Sequence, residues 1–208
     1  MISKFLSLDQ EKQDRIMNAA IQEFAQKGYD DASTNKIVKE AGISKGLLFH
    51  YFKSKKELYL FLYDHLMEIL VEKLYEKLDW KETDIFNIYQ QIAVLKFDLF
   101  KVYPDMVNFL KQVGLETSPE VKKEIKEKEK EALQKRYQEL FSNIDFSLFK
   151  EEIDPMKTVE LIQWMFEGYS FNFQEKIRSQ SVEQIDSEKV LQEMDEYIAI
   201  LRKTFYKS

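Results

Sequence analysis

The chain has 208 residues, a formal net charge of −6, 44% hydrophobic and 33% charged residues, two histidines and no cysteine. This balance describes a globular protein rather than a disordered one, and the lack of cysteine removes disulfide frameworks and thiolate zinc sites. No apolar run approaches the roughly 20 residues of a membrane span, and the N-terminal MISKFLSLDQEKQDR lacks the apolar core and cleavage site of a signal peptide, so a cytoplasmic protein is predicted.

Helical signals begin at once. Ser7-x-x-Gln10 forms a capping box for a first long helix, whose inner stripe is Ile16, Ala20 and Phe24, with Ala19 beside them. Gly28 fits the position just past the helix end, with Tyr29 as its apolar companion. Ser33 then caps a short helix with an apolar face of Ile37, Val38 and Ala41. Gly42 supplies a turn that wants positive φ, Ile43 plugs it from inside, and Ser44 caps a second short helix. There Leu48 and Phe52 lie four apart on one face, while Gly46, Leu47, Phe49 and His50 point away from it. Two short helices about a tight turn, the second presenting its outer side, make a helix-turn-helix over 33–52. Ser54 and Glu57 form a capping box for the next helix.

The rest of the chain reads as long helices. One is predicted from Lys55 to Leu78, with Leu58, Phe61, Leu62, Leu66, Ile69, Leu70 and Leu74 on one face. Thr83 caps another, apolar on more than one face, which Tyr103-Pro104-Asp105 ends. A shorter helix runs from Met106 to Leu115. Ser118-Pro119-Glu120 starts a charge-rich helix with a narrow stripe of Val121, Ile125, Leu133, Tyr137, Leu140 and Phe141. Its alternating signs mark a solvated face. Residues 143–153 form the longest irregular stretch before Asp154-Pro155 opens a helix reaching to about Arg178. That helix has Gly168 in its middle, where close approach of another group is expected. A last helix carries Val190, Leu191, Met194, Tyr197, Ile198, Leu201 and Phe205.

Charge is divided along the chain. Residues 1–56 hold 10 Lys+Arg and 7 Asp+Glu, whereas 57–208 hold 21 and 30, and within 36–56 six Lys face one Glu. A basic tip on an acidic body suits specific DNA binding, since the tip meets phosphate and the body discourages indiscriminate adhesion.

The stretch resembles the DNA-binding head of the TetR family of bacterial transcriptional regulators. The resemblance is carried by Thr34, Ile37, Ala41-Gly42-Ile43-Ser44, Gly46, Leu48, His50-Tyr51-Phe52, Lys55 and Leu58, with Ala19-Ala20, Phe24 and Lys27-Gly28-Tyr29 before them. It covers roughly the first 70 residues. Two departures stand out: Phe49 replaces a frequent Tyr whose hydroxyl meets a phosphate, and Leu47 stands where a small residue is common.

The resemblance implies an all-α fold of about nine helices, with a three-helix head over 1–55 and a helical ligand-binding and dimerisation body over 56–208. It also implies a cytoplasmic bacterial homodimer paired through its last two long helices. That dimer would be a repressor on a palindromic double-stranded DNA operator, released by a small hydrophobic ligand. Lys45 and His50 are the candidates for base contact, because lysine donates to guanine O6 and N7 and a neutral imidazole donates or accepts. Leu47 can meet a thymine methyl or merely pack on sugar, Thr34, Lys36, Tyr51 and Lys55 are candidates for phosphate, and Asn35 serves either role. Ser44, Gly46 and Phe49 complete the DNA-facing set. The aromatics Tyr89, Phe97, Phe100, Tyr103, Phe109, Trp164, Phe166, Tyr169 and Phe173 lie on helices that line the ligand cavity in the family, although plain core residues look the same.

No phosphate loop, dinucleotide fingerprint, nucleophile elbow or metal-ligand spacing appears in the sequence, so neither an enzyme nor a metal or cofactor protein is predicted. His50 and His65 fall on different helices. Two other readings stay open: a DNA-binding regulator gated by a partner protein, and an all-helical enzyme or adaptor whose helix-turn-helix is coincidental.

Overall fold

A computed structural model describes residues 2–176, 180 and 184–207, of which 132–138 by backbone alone. Among these the chain is all-α, its only extended pairing an isolated antiparallel bridge between Phe149 and Tyr206. The helices are α1 (Ile2–Leu6), α2 (Gln10–Asp31), α3 (Thr34–Glu40), α4 (Lys45–Phe52), α5 (Lys55–Tyr75), α6 (Ile85–Val102), α7 (Pro104–Gly114), α8 (Pro119–Leu140), α9 (Pro155–Lys176) and α10 (Ser187–Phe205).

The chain divides into two compact units: Met1–Val71 with Tyr103–Lys130, and Glu72–Val102 with Glu131–Ser208. The first therefore holds the helix-turn-helix, α7 and the start of α8. Phe24 of α2, Tyr59 of α5 and Phe109 of α7 meet edge to face, with Tyr59–Phe109 centroids 5.4 Å apart. The α7–α8 turn is tied to the same region, because Glu116 accepts the Tyr29 N–H at 2.9 Å. That N–H is exposed by the break in α2 at Gly28, which sits at φ +70°. A side chain at Gly28 would also meet the Gln112 amide.

The second unit is built on Ile85, Phe86, Ile144, Phe149, Val159, Ile162, Phe166, Met194 and Ile198. Its polar centre is Asp84. One carboxylate oxygen accepts the Phe86 N–H and the Tyr206 hydroxyl, both at 2.9 Å, and the other accepts the Arg202 guanidinium. Arg202 also donates to the Asn87 side chain at 2.7 Å and lies over the rings of Phe86 and Tyr206. The start of α6 is thereby fixed to the C-terminal end of α10.

Several local expectations shift. Residues 2–6 are helical, so Ser7 closes α1 by donating to the Lys4 carbonyl, and Asp9, not Ser7, caps α2. A carboxylate is the better partner for the positive end of a helix. Asp84 takes the capping role assigned to Thr83, whose carbonyl instead accepts the Asp145 N–H. The helix α5 ends at Tyr75, with helical bonds continuing to Leu78. Residues 143–153 include a 3₁₀ turn, Phe146–Leu148. Asp154 caps α9 as expected. The Leu133 and Tyr137 side chains and the expected helix end near Arg178 lie outside the described residues.

Asp84 does two jobs where Asp154 does one. Asp84→Ala, which removes a cap and strands the Arg202 charge, is expected to cost about 2–3 kcal/mol, whereas Asp154→Ala loses only a cap at about 1 kcal/mol. Urea unfolding of the two variants checks the order; equal losses would refute the tie between α6 and α10.

Candidate nucleic-acid interface

The motif is assembled from local bonds. Ser33 is extended and its hydroxyl accepts the Lys36 N–H, capping α3. At the far end Gly42 sits at φ +65°, its N–H donates to the Lys39 carbonyl at 3.2 Å, and the Ile43 N–H donates to the Val38 carbonyl at 3.0 Å. This pair of bonds is the Schellman closure, which needs a left-handed residue where glycine stands. Arg15 of α2 donates to the Ala41 carbonyl at 2.9 Å, and Ser44 caps α4 through the Leu47 N–H at 3.2 Å.

The orientation of α4 follows from what it buries. Leu48 and Phe52 are each 1% exposed. Phe5 of α1 is fully buried against Phe52, Tyr51 and Phe61, at centroid distances of 4.8, 5.9 and 5.5 Å. Lys45, Gly46 and His50 are left exposed, with Leu47 and Phe49 half-buried. On α3, Asn35 and Lys36 are exposed and Thr34 is half-buried; Ser44 is exposed in the turn. Tyr51 turns inward and is buried, so its ring serves the head's core.

The lysines of this region fall into two groups. Lys36 pairs with Glu23 at 2.7 Å, and Lys56 pairs with Glu124. Lys55 donates to the Asp30 and Ala32 carbonyls at 3.0 and 3.2 Å and lies over the Tyr29 ring, leaving one of its three N–H groups for another acceptor. Lys39, Lys45 and Lys53 have no carboxylate within ion-pair distance among the described residues. Lys4 reaches His50, its ammonium 3.4 Å from Nε2. An ammonium only donates, so in this contact Nε2 is the acceptor.

Sequence reasoning missed Arg15, Glu23 and Lys4. For Glu23 a signal was present, since it sits among Ala19, Ala20 and Phe24 on the inward stripe of α2. It is 4% exposed, accepts the Ser33 N–H at 3.0 Å and pairs ionically with the Lys36 ammonium. Burial alone raises its carboxyl, but the Lys36 and Ser33 bonds and the charges of Lys36 and Lys27 outweigh that and hold it below its ordinary value.

The candidate ligand aromatics do not form one group. Phe109 is fully buried and Tyr103 exposed, both in the first unit. In the second, Tyr89 stacks on Phe166 with centroids 3.8 Å apart, and Phe97 meets Phe100 and Phe173 edge to face. Trp164 points outward, 61% exposed. Tyr169 and Phe173 line an open groove of about 360 Å³ with Asn172, Lys176, Glu193 and Tyr197. Among the described residues no helix is long and apolar enough to cross a membrane.

Comparison with known proteins points to one family and fold. The family model described as bacterial regulatory proteins, tetR family, matches residues 16–61. The chain is 32% identical over 69 residues to the fatty acid metabolism regulator protein of Bacillus subtilis, covering 33% of this chain and 36% of that protein. Two further Bacillus subtilis transcriptional regulators are spanned over only 17% and 22% of their length. The biofilm operon icaADBC negative transcriptional regulator IcaR of Staphylococcus aureus is 24% identical over 181 residues, covering 84% of this chain and 95% of that one. Among solved structures, the fatty acid degradation regulator FadR of Bacillus halodurans superposes with a TM-score of 0.62 at 21% identity, over 87% of this chain and 96% of its own.

A carboxyl held below its ordinary value stabilises the fold above the carboxylate range and loses that effect as pH falls through the folded value. Glu23→Gln is therefore expected to lower stability by about 1–3 kcal/mol at neutral pH, with the gap to wild type closing as pH falls through and below the ordinary carboxylate range. Urea midpoints across that range check it; a gap independent of pH would refute the ionic role.

Proposed function

The chain belongs to the TetR family of bacterial DNA-binding transcriptional regulators, and on that premise we propose that it is a homodimeric repressor of a palindromic operator, released by a small hydrophobic ligand. The observation that carries the reading is the outer face of α4: Lys45, Gly46 and His50 are open to solvent while Leu48 and Phe52 anchor the helix from behind. In this reading Lys45, His50 and Leu47 meet base edges in the major groove. Thr34, Asn35, Lys36, Ser44 and the free N–H of Lys55 fix the register on phosphates. Half-sites lie about one turn apart, on the order of 34–36 Å, or a multiple of it.

Dimerisation is supported by an uncovered stripe on α9. Leu161, Trp164, Gly168 and Phe171 recur at three- and four-residue spacing and all are exposed, Trp164 by 61% and Phe171 by 64%. Apart from the backbone of α9 itself, nothing among the described residues lies within 4 Å of a Cβ built on Gly168, so the close approach expected there is assigned to a second copy. On α10 the apolar side chains of Tyr197 and Ile200 are exposed as well. An exposed apolar stripe of this kind marks an interface, and the spacing is that of helix pairs packed side by side.

Repression is supported by the IcaR relative, which spans nearly the whole chain and is a negative regulator by name. The ligand class is supported by relatives named for fatty acid metabolism and degradation and by the aromatic interior of the second unit. Such a ligand releases DNA only by binding the non-DNA conformation better, about 1.4 kcal/mol of preference giving each tenfold loss of affinity.

Selecting genomic fragments on the purified protein at near-physiological salt should enrich one palindrome. Lys45→Ala and His50→Ala are each expected to lower affinity for it by about 1–3 kcal/mol; unchanged affinity would remove α4 from the interface. For the dimer, Trp164→Glu and Ile200→Glu should yield monomers in light scattering, and a monodisperse dimer of both variants would place the interface elsewhere.

A further inference from the structure

The first helix carries a lysine to the reading face. A five-residue helix such as α1 does not persist alone in water, and here it is held by one buried ring and by the bonds at its end. Phe5 fills the space among Tyr51, Phe52 and Phe61. Gln13 of α2 donates to the Leu6 and Leu8 carbonyls, at 3.2 and 2.9 Å, and fixes the end of the turn. With Phe5 pinned inward, Lys4 extends along α4 until its ammonium stands 3.4 Å from the tip of His50.

That placement has a charge consequence. Lys4 is exposed and has no carboxylate within ion-pair distance among the described residues. The one hydrogen-bond partner of its ammonium among the described residues is the imidazole, which does not neutralise it. An ammonium contributes three donors, and the imidazole takes one. Wherever the tip of His50 enters the major groove, a cation 3.4 Å away stands beside the rows of phosphates that border that groove.

From this geometry we infer that Lys4 is a DNA contact in its own right: α1 supplies one phosphate-binding ammonium beside the recognition helix, outside the helix-turn-helix sequence. The inference rests on the DNA-binding function proposed above. Because the contact is to phosphate, it adds affinity on every sequence and leaves the choice of operator to α4.

The test uses the full-length protein with two duplexes, the enriched palindrome and a scrambled version of the same composition. The slope of log affinity against log salt is measured on each. Lys4→Ala should weaken binding to both and make the slope shallower by about 0.9 for each head bound, while Lys4→Arg keeps the wild-type slope. Wild-type protein that binds the palindrome, with an unchanged slope in Lys4→Ala, would overturn the contact and leave the regulator intact. Weakening confined to the palindrome at constant slope would also overturn it, reducing Lys4 to a positioning residue for His50. Wild-type protein that binds neither duplex would overturn both readings.

Discussion

A helix of eight residues has too little internal bonding to stand by itself in water. The α4 helix exists because its inner side chains are seated in an aromatic cluster of Phe5, Tyr51, Phe52 and Phe61, contributed by α1, α4 and α5. Burying a ring of this size stabilises by roughly 1.5–3 kcal/mol, and well-placed aromatic pairs add about 0.5–1.5 kcal/mol. The seat does more than hold the helix in place. It sets the rotation of α4 about its axis, and so decides that Lys45, Gly46 and His50 face outward. A surface held this firmly loses little freedom on docking, and the lower ordering cost favours affinity.

The basic character of the head is smaller than its formal charge suggests. Lys36, Lys55 and Lys56 are turned to internal work: one satisfies a buried carboxylate, one closes carbonyls at the end of α2, one pairs with α8. They fix the positions of α3 and α5 and still contribute to the long-range field. Among the described residues Lys39, Lys45 and Lys53 carry no such internal ion pair. Glu23 shows the reverse case, a carboxylate inside a basic head whose charge holds the start of α3 through Ser33 and Lys36.

Much of this was legible in the chain, for physical reasons that differ by element. Gly42 and the serines at 33 and 44 announce themselves because the conformations they serve exclude most other residues. Leu48 and Phe52 are found by spacing alone. The head's internal polar bonds were not legible, because Arg15 to the Ala41 carbonyl joins residues 26 apart and Lys4 to His50 joins residues 46 apart. Spacing rules reach only one or two turns. The same limit explains the body aromatics: Trp164 and Phe166, two residues apart on α9, look alike in sequence, yet one faces outward and the other is core. Periodicity finds a stripe, and only the packed partners say which stripe is covered.

The first compact unit is discontinuous in sequence, with α7 and the start of α8 returning to it after α6. Phe109 covers Phe24 and Tyr59, and Glu116 closes the N–H that the break at Gly28 leaves open. The reading head is thus not a cassette. A chimera joined between α5 and α6 would carry the motif without its lid, leaving two aromatic rings and a backbone donor facing a stranger's surface. Exchange of heads between such proteins by recombination needs two matched junctions, or a recipient whose own α7 already fits.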